Sequence, residues 1–124
     1  MKQIIHTNLA PQAIGPYSQA VLANGMLFIS GQLGVKPNGE FAGVSVEEQA
    51  KQSLENIKNI LAEAKMDFKN VVKTTIFLAN IEDFSKVNDI YATYFDGDYP
   101  ARSTIAVKTL PKNGLVEIET IVAL

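Results

Sequence analysis

The chain has 124 residues, 47% hydrophobic and 19% charged, with a net charge of -2 and a pI near 5.3. That length suits one domain with a sizeable core, and the acidic balance argues against a general nucleic-acid binder, which needs a basic face to displace counterions. The absence of cysteine excludes disulfides, thiolate catalysis and cysteine-held metal, as fits a cytoplasmic protein, and neither a signal peptide nor an apolar run of the ~20 residues needed to span a membrane is present.

Lys2 to Thr7 reads as a short strand around Ile4 and Ile5. Its His6, the only histidine, has no further ligands at workable spacing, so a metal site is not expected. Asn8 to Gln19 carries Pro11, Gly15 and Pro16, too many breakers for a regular element. Within this loop Gly15-Pro16-Tyr17 is a rigid turn with an aromatic tip. Tyr17 either packs the loop onto the body or presents a phenol at a pocket rim.

Ala20 to Ala23 and Met26 to Gln32 flank Asn24-Gly25, a strong signal for a two-residue hairpin turn. The second strand ends in Ser30-Gly31-Gln32, and a glycine there marks a bulge or a close approach of ligand to backbone. Pro37 to Gly39 is another turn. Ser45 and Glu48 have capping-box spacing, and the helix they open runs to about Ala64. Val46, Ala50, Leu54, Ile57 and Leu61 form its apolar stripe, where core packing and no chemistry is expected.

Val71 to Ala79 is β-branched and suits a central strand. Asp83 to Phe95 has helical spacing of Phe84, Val87, Ile90, Tyr91 and Tyr94. Asn88, within it, is either an exposed polar residue or a contact near the strand ends. Asp96-Gly97-Asp98 stops the helix, and a strand from about Ala101 to Val107 carries Arg102 at its mouth. Ten lysines serve elsewhere as generic cations, yet this is the only arginine. Its planar fork grips a carboxylate or phosphate through two parallel hydrogen bonds, which an ammonium cannot do. The plainer alternative is a surface ion pair of little energetic weight.

Lys108 to Gly114 is a turn-rich link, and Leu115 to Leu124 closes the chain as a strand with Glu117 and Glu119 on one face. Either that face is solvated, or one carboxylate serves as an acid-base group. A simple hairpin turning at Lys112 and Asn113 sets Arg102 opposite Ala123 and Glu117 opposite Lys108, roughly 20 Å apart along the sheet. For the two to share a site, the last strand must pair elsewhere or the glutamate must come from a neighbouring subunit. The element order predicts an α+β fold of ferredoxin-like type, with two helices covering one face of a mixed sheet. The other face, with Phe28, stays wet unless another subunit covers it.

Four motifs in this order, Ile14-Gly15-Pro16-Tyr17-Ser18-Gln19, Ser30-Gly31-Gln32, Pro100-Ala101-Arg102-Ser103 and Val116-Glu117-Ile118-Glu119, resemble the RidA (YjgF/YER057c/UK114) family along essentially the whole chain. The resemblance implies a chorismate-mutase-like fold, a homotrimer with clefts between subunits, and a cofactor-independent enamine/imine deaminase. Such enzymes hydrolyse 2-iminobutanoate and 2-iminopropanoate to 2-ketoacids and ammonia. By motif, Arg102 matches the residue that holds the substrate carboxylate, Glu117 the one that orients water, and Tyr17, Ser30, Gly31 and Asn88 residues lining the cleft. Thr104 stands where many relatives carry cysteine and keeps a backbone amide contact with substrate. The segment Asp96 to Asp98 is shorter than in many relatives, which is expected to reshape the cleft wall. Two other readings compete: a non-catalytic module or regulator that binds small carboxylates, and a ribonuclease or translation inhibitor. The acidic balance and the lack of a histidine pair count against the last.

Overall fold

A computed structural model describes residues 1–124. The strands are β1 (Gln3–Ile5), β2 (Ala20–Ala23), β3 (Met26–Leu33), β4 (Val71–Leu78), β5 (Ala101–Ala106) and β6 (Val116–Ala123). The helices are α1 (Val46–Glu63) and α2 (Phe84–Ala92). Asn24 and Gly25 both take positive φ, at 52° and 73°, which is the geometry a two-residue hairpin turn demands. Ser45 accepts from the Glu48 amide, and the reciprocal half of the capping box is present at the start of α1. Helix α2 is shorter than its aromatic spacing predicts. A 3-10 turn, Ile81–Asp83, precedes it, and Tyr94 and Phe95 lie beyond its end.

The six strands form one mixed sheet in the order β1-β2-β3-β6-β4-β5. The expected hairpin between the last two strands does not form. Strand β6 instead lies between β3 and β4, antiparallel to both, while β5 pairs in parallel with β4 at the sheet edge. The link from β5 to β6 crosses the end of β4, where the Val107 amide donates to the Leu78 carbonyl and the Ala79 amide to that of Leu115. Burial accounts for this choice. Val116, Ile118, Thr120 and Val122 are all buried in the centre, whereas no residue of β5 is fully buried.

Both helices lie on one face of the sheet, so the architecture is α+β. Leu54, Ile57, Ile60 and Leu61 of α1 and Val87 and Tyr91 of α2 join Leu27, Ile29, Ile76, Leu78, Ile118 and Val122 in one core. Truncating a fully buried side chain such as Ile118 to alanine costs about 2–5 kcal/mol. The alternating burial of β4 and β6 leaves the opposite face uncovered. Phe28 and Ile105 there are 46% and 48% exposed. No helix is long and apolar enough to cross a membrane.

Candidate functional site

Register decides which face each candidate residue occupies, because directly paired residues of neighbouring strands share a face. Arg102 pairs with Thr74, and Thr104 with Ile76. Thr74 and Ile76 are buried under the helices, so Arg102 and Thr104 belong to the helix-covered face. Glu117 pairs with Phe77 on β4 and with Leu33 on β3. Its strand neighbours Val116 and Ile118 point into the core, so Glu117 belongs to the open face.

On the helix side the guanidinium of Arg102 lies 5.1 Å from the centre of the Tyr91 ring and 5.5 Å from that of Phe84. Two aromatic faces from α2 therefore hold the cation, a cation–π arrangement that leaves its hydrogen-bond donors open. The plainer alternative, a surface ion pair, is not what holds it. Tyr91 is itself fixed by a buried 2.8 Å hydrogen bond between its hydroxyl and Thr74 Oγ1. Burial pushes the Tyr91 phenol above its ordinary value, against opposing pulls from the Thr74 bond and the Arg102 charge. Arg102 opens into a cleft of about 560 Å³ lined also by Asn88, Asp89, Tyr91, Ala92, Tyr99 and Pro100. Thr104, two residues along β5, has a buried hydroxyl with no hydrogen-bond partner. Asp96, Gly97 and Asp98 line a neighbouring hollow of about 400 Å³ with Phe68, Tyr94 and Phe95, and Phe95 in turn packs on Tyr99 of the Arg102 cleft.

On the open side the β3–β6 ladder slips between Ile29 and Gln32, so Ser30 and Gly31 form a bulge. Gly31 leaves the room that the Glu117 side chain occupies. A Cβ at this position would stand 2.8 Å from Glu117 Cδ and 3.0 Å from its Oε2. The carboxyl of Glu117 thus rests against bare backbone. Burial raises its pKa first, and the charge of Glu119 on the same strand adds to the rise. Ser30 Oγ donates to the Ser18 carbonyl at 2.6 Å, and the Ser30 amide to that of Gln19 at 2.9 Å. These bonds bring the Tyr17 loop to the bulge. The Tyr17 hydroxyl accepts from the Ile14 amide at 3.4 Å, and its ring is 55% exposed. His6 hydrogen-bonds to Gln12, and no group of three metal-ligating side chains exists.

The candidates thus divide between the two faces of the sheet. Arg102, Asn88 and Thr104 lie on the helix side, and Tyr17, Ser30, Gly31 and Glu117 gather around the bulge. Sequence reasoning missed Tyr91 and Phe84 as the platform under Arg102, treating them as helix packing. Their spacing, seven residues apart on one helix face near a lone arginine, was the available signal.

The family model described as endoribonuclease L-PSP matches residues 7–124. The 2-iminobutanoate/2-iminopropanoate deaminase of Bos taurus is 54% identical over 122 residues, spanning 98% of this chain and 89% of that protein. The Rid-family protein YyfA from Yersinia pestis is 49% identical, covers all of both chains, and superposes with a TM-score of 0.97. E. coli TdcF, solved with bound serine, is 41% identical over 98% of each chain, with a TM-score of 0.94. At this coverage and identity, with the same α+β architecture, the chain belongs to the YjgF/RidA family.

Proposed function

We propose that this protein is a cytoplasmic 2-iminobutanoate/2-iminopropanoate deaminase, acting as a homotrimer in which Arg102 of one subunit faces Glu117 of the next. The whole chain, residues 1–124, is the catalytic unit. The observation that carries the reading is a complementary pair of incomplete half-sites: an unneutralised guanidinium on an aromatic platform, and a carboxyl lodged in a glycine cradle on the other sheet face. The imine-deaminase relative supports the reaction class. TdcF with its bound serine supports a small amino-acid-like ligand. The exposed Phe28 and Ile105 supply an apolar face for subunit contact.

In this reading Arg102 takes the substrate carboxylate through paired N–H donors. A protonated imine carbon is already electrophilic, so the protein's task is to orient a water beside it. Glu117 accepts a proton from that water as the water oxygen bonds to the imine carbon and the C=N electron pair moves to nitrogen. The proton taken by Glu117 passes to the carbinolamine nitrogen, the C–N bond breaks with its electron pair leaving on ammonia, and the hydroxyl proton returns to Glu117 as the C=O bond forms. Tyr17 closes the cleft and relays a proton toward the leaving nitrogen. Asn88 and Thr104 line the Arg102 side; Ser30 and Gly31 shape the Glu117 side.

The test is release of 2-ketoacid from a freshly generated imine, compared with the spontaneous rate. Acceleration by the native protein and its loss in Arg102→Ala support the assignment. Ketoacid binding without acceleration identifies a non-catalytic carboxylate-binding module, and cleavage of RNA without acceleration identifies a ribonuclease; either overturns it.

A further inference from the structure

The buried face of α1 is not wholly apolar. Gln49, Ser53 and Asn56 lie on it, and Ser53 and Asn56 have no solvent exposure at all. A buried polar side chain costs stability unless it is hydrogen-bonded, and an apolar residue would fill the same seam without that risk. Their partners are therefore informative. Ser53 Oγ donates to the Gln32 carbonyl at 2.6 Å. Asn56 Nδ2 donates to the Val35 carbonyl at 2.8 Å and to that of Leu33 at 3.3 Å. Gln52 Nε2 donates to Asn56 Oδ1 at 2.8 Å, which fixes the direction of the amide.

The clamped carbonyls follow directly on the Ser30–Gly31 bulge. Leu33 is the cross-strand partner of Glu117, and Gly31 lies beneath the Glu117 carboxyl. Just beyond, Gly34 packs so closely on the Gln49 backbone that a Cβ would stand 2.4 Å from its Cα. The helix thus holds this end of β3 by polar contacts and close approach together, where a bulged ladder alone leaves it free to relax. We infer that Asn56, with Ser53 beside it, is a positioning residue for Glu117, holding the bulged end of β3 so that the carboxyl stays in its cradle. This rests on the reading of Glu117 as the water-orienting group of an imine deaminase.

The experiment follows the Glu117 carboxyl by NMR titration in the native protein and in Asn56→Ala, Ser53→Ala, Gln52→Ala and Leu54→Ala. Leu54 is a buried residue of the same helix and of the apolar core, so Leu54→Ala controls for lost packing. Glu119 on the same strand and Lys73 on β4 are the charged groups on the Glu117 face, and all four variants keep both. Loosening the cradle hydrates the carboxyl, so Glu117 titrates lower in the three clamp variants and at the parental value in Leu54→Ala. Imine hydrolysis measured alongside loses about tenfold in kcat at unchanged KM, the scale of a misplaced reacting group. If Asn56→Ala does not fold, Ser53→Ala and Gln52→Ala decide the matter. Parental titration and kcat in those two variants overturn the inference, as does an equal shift in Leu54→Ala. A native protein without imine hydrolysis, yet with clamp-dependent titration, sinks the deaminase reading and supports the clamp.

Discussion

Arg102 and Glu117 project from opposite faces of one sheet: Arg102 beside Thr74 under the helices, and Glu117 beside Phe77 on the open side. Their β4 partners are three positions apart, but no rotamer carries a side chain through a packed sheet. In our reading the two groups therefore meet only across a subunit boundary. Co-expressing Arg102→Ala with Glu117→Ala tests this directly. Each variant alone is inactive, whereas random mixing places a native Arg102 against a native Glu117 in about a quarter of the clefts of a cyclic oligomer. Activity near that fraction of the parental rate is expected. No recovery above the separate variants would show that the pair does not share a site between subunits.

Gly31 and Gly34 predict opposite outcomes for the same substitution. In Gly31→Ala the new methyl meets the far end of the Glu117 side chain, which can swing aside. Folding is retained, with a change in stability of about 1 kcal/mol or less, while imine hydrolysis falls at least about tenfold because the carboxyl is displaced. In Gly34→Ala the methyl meets the Gln49 backbone at 2.4 Å, which cannot move without shifting α1. A loss of about 3 kcal/mol or more is expected there. Denaturant melts and a ketoacid assay on both proteins separate the two cases.

Much of the fold was legible because short-range rules govern it. The Asn24-Gly25 turn, the Ser45–Glu48 capping box and the apolar stripe of α1 follow from neighbouring residues alone. The place of β6 did not. Strand order is settled by competition for the most buried positions among segments far apart in sequence, and the alternation of β6 is equally compatible with an edge hairpin. The polar residues of α1 were hidden for a related reason: Gln49, Ser53 and Asn56 look solvated until the bulged end of β3 is seen beside them. At the site, the lone Arg102 and the glycine near the end of β3 were readable as chemical oddities. The Tyr91 and Phe84 platform was not, since aromatics at helical spacing ordinarily signify core.

The platform makes its own prediction. Arg102→Lys keeps the charge but loses both the fork of donors and the flat surface that stacks on Tyr91 and Phe84. The variant folds normally and loses most of its kcat/KM, about tenfold or more, corresponding to at least one strong charge-assisted hydrogen bond. Tyr91→Phe preserves the ring and strands the buried Thr74 hydroxyl, costing about 1–3 kcal/mol of stability with little effect on turnover. Tyr91→Leu removes the ring and raises KM as well. Near-normal hydrolysis by Arg102→Lys would reject the anchoring role.

In our reading the acid side of the pH profile depends on the two carboxylates of β6. Burial raises the Glu117 pKa above its ordinary value of 4.5, and the neighbouring Glu119 charge raises it further. A carboxyl with a higher pKa in the folded state holds its proton over a window where the unfolded chain has released it. Stability from this group therefore falls as pH rises from the unfolded value through the folded one, and is flat above. Glu119→Gln removes the repulsion but not the burial. Glu117 then ionises at lower pH, so the acid limb of the kcat/KM profile moves down while the neutral plateau keeps its height. Tm at neutral pH rises slightly, and the gain disappears below the ordinary carboxyl range. A pH–rate profile of Glu119→Gln superimposable on the parental one would show that the acid limb belongs to another group.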